Sequence, residues 1–136
     1  MPATRVVLDT NVFVSALLGK GPPSRLYGEF IAGTFELVCS KALLSELAEV
    51  LIRPELAIPS VEIKTLFRLL RHRALLVRSI RPINACRDPA DNMPLECAVF
   101  GNAEWIVSGD KDLLILHPFH GVKIVSPADF LKHLSA

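Results

Sequence analysis

Apolar positions along the chain form two kinds of pattern, short continuous runs and longer runs that repeat every three or four residues. The continuous runs are RVVLD (5–9), FELVCS (35–40), ALLVRSI (74–80), EWIVSG (104–109) and VKIVS (122–126). Short apolar runs of this composition predict buried β-strands. Because helical patterns separate them, we predict parallel βαβ units and a mainly parallel sheet of about five strands.

Helical periodicity fills the segments between the predicted strands. Three clear patterns are PPSRLYGEFIAG (22–33), SKALLSELAEVLIRP (40–54) and SVEIKTLFRLLRH (60–72). Prolines near a start, glycine at an end and Ser40 as a candidate N-cap mark their boundaries. Two more helices are expected after Asp91 and in SPADFLKHL (126–134), with Ser126 as a cap. The whole pattern predicts an α/β fold.

Composition limits the class of protein. The chain has 136 residues, of which 51% are hydrophobic and 21% charged, so we expect one domain, residues 1–136, with a large core. No apolar run approaches 18 residues, and the N-terminus lacks a secretory pattern. Three cysteines without CxxC spacing favour reduced packing thiols. We therefore expect a soluble cytoplasmic protein with no membrane partner.

Basic residues concentrate in the middle of the chain although the net charge is only +1. Residues 64–87 contain seven Lys or Arg side chains and no Asp or Glu. Arg68, Arg71 and Arg73 are candidate contacts for nucleic-acid phosphates or for an acidic partner. A solvated helix face with long arginine stems explains the same residues equally well.

Acidic side chains follow two of the predicted strands. Asp9 ends the first strand, and Asp110 follows the fourth. The carboxyl ends of parallel strands meet at one edge of a sheet, so these side chains should emerge together. Asp91 stands at a predicted helix start, and Glu46 lies at the border of an apolar helix face. We expect all four carboxylates to converge at this edge.

Such a convergence predicts a metal site. Carboxylates that share one edge repel each other unless a cation lies between them, and Mg²⁺ or Mn²⁺ prefers carboxylate oxygen and water. The chemistry expected is metal-assisted hydrolysis of a phosphodiester. We predict Asp9, Asp91 and Asp110 as metal ligands. Helix capping by each of these residues is the competing interpretation.

Four motifs in this order resemble the PIN-domain ribonucleases, in particular the PIN-type toxins of bacterial toxin–antitoxin systems. The motifs are VVLDTNVFVSAL, Glu46 in SKALLSELAEVL, CRDPADN and IVSGDKDLL, and they span nearly the whole chain. The resemblance implies a three-layer α/β/α domain with an acidic pocket for Mg²⁺ or Mn²⁺. It also implies cleavage of single-stranded RNA, a homodimer, and neutralisation by a small antitoxin protein.

The resemblance also assigns roles to residues. It gives catalytic positions to Asp9, Glu46, Asp91 and Asp110, and supporting positions to Asn11, Ser108 and Asp112. One departure concerns Met93 and Pro94, which stand where relatives commonly have a lysine followed by an apolar residue. Proline is tolerated in a first helical turn, whereas the missing lysine predicts weaker substrate binding.

Two other classes of protein are compatible with parts of this pattern. A phosphatase of the haloacid-dehalogenase type needs an acid two residues after its nucleophilic aspartate, and that position here is Asn11. A PIN-fold binding module without catalysis would use the acidic pocket or the basic stretch to bind RNA or protein. The presence of all four acids argues against a simple loss of activity.

Overall fold

A parallel five-stranded sheet forms the centre of the molecule. The structure is a computed structural model that describes residues 4–19, 21–78 and 80–135. Its strands are β1 (Arg5–Leu8), β2 (Glu36–Ser40), β3 (Leu75–Val77), β4 (Trp105–Val107) and β5 (Lys123–Val125). Their order is β3-β2-β1-β4-β5, and every neighbouring pair is parallel. The five predicted strands are confirmed, although Ser79 of the predicted strand 74–80 lies outside the described residues.

Helices cover both faces of this sheet. They are α1 (Thr10–Leu17), α2 (Gly21–Ile31), α3 (Lys41–Leu51), α4 (Ser60–Arg73), α5 (Asn92–Phe100), α6 (Lys111–Leu114) and α7 (Pro127–Ser135), with 3-10 turns at Pro54–Leu56 and Pro89–Asp91. One core joins one sheet face to α1, α2, α3, α4 and α7. A second core joins the other face to α5 and α6. This arrangement confirms the three-layer α/β/α fold.

Central strand β1 is buried on both faces. Val6 belongs to one core and Val7 to the other, and neither side chain is exposed. Helices on both faces explain why the strands appear in the sequence as continuous apolar runs without polar alternation. Each such valine contributes about 1.5–3 kcal/mol of hydrophobic free energy when it is fully buried.

The cysteines serve as packing residues. Cys39 and Cys97 are buried free thiols, and burial raises the pKa of each to about 12. A thiol held so far from ionisation is a poor nucleophile. Their prediction as small hydrophobic residues is confirmed. No helix in the described parts of the chain is both long and apolar enough to cross a membrane.

Strand ends turn directly into helices at the carboxyl edge of the sheet. The backbone of Asp9 is extended, and α1 begins at the next residue. Ser40 ends β2 in the same way, and its Oγ accepts a hydrogen bond of 3.1 Å from the amide of Leu43 in α3. The predicted caps Ser40 and Ser126 are confirmed, the latter by a 3.2 Å bond from the amide of Asp129. These short junctions position α1 and α3 at the edge predicted to hold the acids.

Replacing Ser40 by alanine should destabilise the protein by about 1–2 kcal/mol, because it leaves a buried helix-start amide without an acceptor. Ser60→Ala is the matched control, since Ser60 is exposed and α4 has no side-chain cap. Urea unfolding measures both free energies. Equal stability of the two variants would contradict a capping role for Ser40.

Candidate active site

Asp9 lies where β1 becomes α1, and both of its carboxylate oxygens are held. Oδ1 accepts a 2.8 Å hydrogen bond from the amide of Thr10, and Oδ2 accepts a 2.8 Å bond from the hydroxyl of Ser108. Burial raises the pKa of Asp9, and the negative charge of Asp110 adds to this effect, while the two hydrogen bonds oppose it. Asp9 therefore caps α1 and also belongs to the acidic edge.

Asp110 reaches the same edge because β1 and β4 are neighbours. Their register pairs Leu8 with Val107, so the residues after both strands emerge side by side. The buried Ser108 connects them, since its Oγ also accepts a 2.9 Å bond from the amide of Asp110. The carboxylate of Asp110 caps α6 through a 2.9 Å bond from the amide of Asp112.

Asp91 ends a 3-10 turn just before α5, and its side chain caps no amide. The pKa of Asp91 is raised to about 6, chiefly by burial and then by the charges of Asp110, Asp88 and Asp9 in that order of importance. Capping therefore does not explain this side chain. The negative charges of neighbouring carboxylates disfavour ionisation of Asp91.

Glu46 approaches the same group from α3, where its side chain is half-buried. Burial raises its pKa, and the charge of Asp9 is the next cause, while a hydrogen bond with Thr10 opposes the rise. Each of the four predicted acids thus interacts electrostatically with at least one other. The structure brings them to one edge of the sheet.

The predicted supporting residues occupy different environments. Ser108 is buried and bonded to Asp9, whereas Asn11 is exposed in the first turn of α1. Asp112 faces outward and pairs with Arg87, whose Nη2 lies 3.6 Å from Oδ1. Pro94 falls in the first turn of α5, where a missing amide hydrogen costs no helical bond.

The sequence did not predict that two buried polar residues, Asn92 and Thr10, support the site, although Thr10 is a suitable residue for capping α1. Asn92 accepts hydrogen bonds from the amides of Ala85 (3.0 Å) and Cys86 (2.9 Å), and so fixes the loop before Asp91. Thr10 is buried beside Glu46. Each of these residues directly follows an acid at a helix start, which is the one sequence feature that could have indicated them. Polar residues at such positions more often only cap the helix.

The candidate RNA-binding arginines lie elsewhere. Arg71 and Arg73 are in the last turn of α4, which leads directly into β3 and therefore lies at the amino edge of the sheet. Arg73 donates hydrogen bonds to the carbonyls of Phe30 (2.6 Å) and Ile31 (3.1 Å) at the end of α2. Arg68 is exposed on the same helix. Their contact with RNA stays a prediction, and Arg73 already has a structural partner.

The positions of the carboxylates determine whether they can share one metal ion. Within 4–19, 21–78 and 80–135, no group of three or more His, Cys, Asp or Glu side chains is placed so as to hold one ion. The donor chemistry still fits a hard divalent cation, since Mg²⁺ is commonly held through one or two carboxylates and water. Burial is the main cause of the raised pKa values of Asp9 and Asp91, and the charges of neighbouring carboxylates add to it.

The fold and its acidic edge define an α/β protein with a hydrolase-type site. The family model described as PIN domain matches residues 5–112, and the chain belongs to the PIN domain family. It is also similar to an uncharacterized protein of Methanocaldococcus jannaschii, with 27% identity over 140 residues that cover 94% of this chain and 90% of that protein. Membership of this family indicates a nuclease.

Asp91→Asn should stabilise the metal-free protein at pH 7, raising its Tm by about 2–5 °C. The folded state holds the proton of Asp91 more tightly than the unfolded chain does, because the pKa rises from 3.8 to about 6. The bound proton therefore stabilises the folded state fully below pH 3.8, and this stabilisation is lost as the pH rises through about 6. Thermal unfolding in EDTA from pH 5 to pH 7.5 measures the effect.

Glu49→Gln is the matched control for this experiment, because Glu49 is exposed on α3. The control should keep the wild-type gain in Tm on acidification, whereas Asp91→Asn should lose part of it. An Asp91→Asn variant with the wild-type pH dependence would contradict the electrostatic coupling of this carboxylate.

Proposed function

We propose that the protein is a metal-dependent endoribonuclease that cleaves single-stranded RNA, with residues 1–136 acting as one PIN-like domain. The observation that carries the proposal is the approach of Asp9, Glu46, Asp91 and Asp110 at the carboxyl edge of the sheet. Membership of the PIN family supports a nuclease reaction at this edge. A phosphodiester is the substrate whose hydrolysis best uses clustered carboxylates.

Asp9, Asp91 and Asp110 are the residues proposed to hold Mg²⁺ or Mn²⁺. Asp9 keeps one orientation because Thr10 and Ser108 each donate to one of its oxygens. Ser108 also fixes the backbone of Asp110, so these two carboxylates stay in register. A bound divalent ion supplies Lewis-acid stabilisation of the charge that develops on the phosphoryl oxygens.

Glu46 is proposed to orient the attacking water. Its half-buried carboxylate lies beside Asp9, and its raised pKa makes it a better proton acceptor near neutral pH than an ordinary glutamate. Glu46 therefore has the position and basicity to accept a proton from water as the phosphorus is attacked.

The biological role proposed is that of a toxin in a toxin–antitoxin pair. The order of the four sequence motifs supports this role, which implies a cytoplasmic protein, a small antitoxin protein as partner, and a homodimer. Growth inhibition by such a toxin depends on RNA cleavage, so the toxin role requires the same acidic residues as the proposed endoribonuclease activity.

The purified protein should cleave a mixed-sequence single-stranded RNA in Mg²⁺ or Mn²⁺ and not in EDTA. Asp9→Asn should lower the rate at least about 100-fold, because it removes a ligand charge from the reacting centre. Denaturing gel electrophoresis of an end-labelled RNA measures the rate. Asp129→Asn, at an exposed position of α7, is the control and should cleave as the wild type does.

Unchanged Tm of Asp9→Asn would show that its loss of activity is not a loss of folding. We expect equal or slightly higher stability, since the substitution removes like-charge repulsion. Full cleavage by this variant would refute the assigned site. A folded wild-type protein that cuts no RNA with either metal would refute the endoribonuclease.

Expression in a bacterial host without an antitoxin should stop growth if the protein is a toxin, and the Asp9→Asn variant should permit it. Colony counts after induction should differ by about 100-fold or more, in line with the loss of catalysis. Equal growth with both proteins at equal expression would contradict the toxin role and leave the nuclease reaction intact.

A further inference from the structure

Arg87 is the basic side chain paired with the acidic edge. Two ion pairs occur among residues 4–19, 21–78 and 80–135. Arg5 and Glu36 begin neighbouring strands, so their pair lies at the amino edge. Arg87 instead contacts Asp112, two residues after the active-site Asp110, at 3.6 Å. The guanidinium of Arg87 therefore lies against a carboxylate two residues along the chain from Asp110.

The backbone around Arg87 is fixed by hydrogen bonds, although its side chain is almost fully exposed. The preceding amide, of Cys86, donates a 2.9 Å bond to Asn92. The following residue, Asp88, accepts a 3.0 Å bond from the amide of Ala90. The side chain of Arg87 itself is 92% exposed. An anchored stem with an exposed guanidinium can change partners without unfolding the loop.

Asp112 is a weak partner for this guanidinium. Its side chain is half-exposed, and exposed ion pairs at such separations contribute little free energy. A phosphodiester can accept two parallel hydrogen bonds from arginine, which is a stronger and more specific contact. A nucleic-acid strand approaching four carboxylates also needs nearby positive charge to offset repulsion. Exchange of Asp112 for a substrate phosphate is thus favourable.

We propose that Arg87 binds a backbone phosphate of the RNA substrate and that Asp112 holds the guanidinium beside the site until RNA arrives. This inference rests on the proposed endoribonuclease function and deepens it. It gives Asp112 the role of a positioning residue, in place of the auxiliary catalytic role that the family resemblance implies.

Opposite effects of two substitutions distinguish this role from a merely structural ion pair. Arg87→Ala should weaken RNA binding, whereas Asp112→Asn should leave it unchanged or strengthen it, because a competing acceptor is removed. The Asn variant keeps the backbone bond from residue 112 to Asp110. A structural pair would instead give the same loss with either substitution.

Binding is measured by fluorescence anisotropy of a labelled single-stranded RNA with Mg²⁺ present, all variants carrying Asp9→Asn so that the RNA stays intact. Arg87→Ala should raise Kd about tenfold and reduce the slope of log K against log salt by about 0.7. Arg87→Lys should lie between it and the parent, since lysine keeps the charge without the fork. Arg25→Ala, an exposed arginine beside Leu134 and Ser135 of α7, should bind as the parent does.

Cleavage by the proteins with Asp9 intact separates the two proposals. Arg87→Ala should raise KM about tenfold with little change in kcat, as expected when ground-state binding is lost. Cleavage by the wild type with an unchanged KM in Arg87→Ala would overturn the role of Arg87 and leave the nuclease standing. Weaker RNA binding by Arg87→Ala, without cleavage by the wild type, would support the phosphate contact and refute the catalytic function.

Discussion

Repulsion between carboxylates is the constraint that the structure around the acidic edge has to satisfy. Asp9, Asp91 and Asp110 are delivered by separate elements to one place, and burial raises the pKa of the first two. The protein limits the cost with local donors, of which the hydroxyl of Ser108 at 2.8 Å from Asp9 is the most buried. A divalent cation at the proposed metal site would relieve the repulsion that remains.

Hydrophobic packing in the core provides the stability that offsets the repulsion between these carboxylates. β1 is buried on both faces, and its register with β4 fixes the separation of the residues that follow each strand. A residue shift in that register would turn Asp9 away from Asp110. The site is therefore built on the central strand β1 and its neighbour β4, where hydrophobic packing on both faces of the sheet resists the repulsion at the strand ends.

Charge is distributed unevenly over a molecule whose net charge is only +1. Arg71 and Arg73 lie at the amino edge of the sheet, while the acids lie at the carboxyl edge. Arg87 is set apart from those arginines by its contact with Asp112. Under the proposed function, an anionic substrate at the acidic edge would depend on a bound cation and on Arg87, because the overall field of the protein is weak.

The sequence by itself determined the five strands, the caps Ser40 and Ser126, and the convergence of the acids, because strand patterns and capping are local and parallel strands share one carboxyl edge. Only the tertiary structure decided that Arg73 donates a hydrogen bond to a carbonyl at the end of α2. It alone decided that Asn92 fixes the loop before Asp91 and that Asp112 pairs with Arg87. It also decided the pKa of Asp91. These properties depend on burial and on side chains contributed by different elements, which no local pattern records.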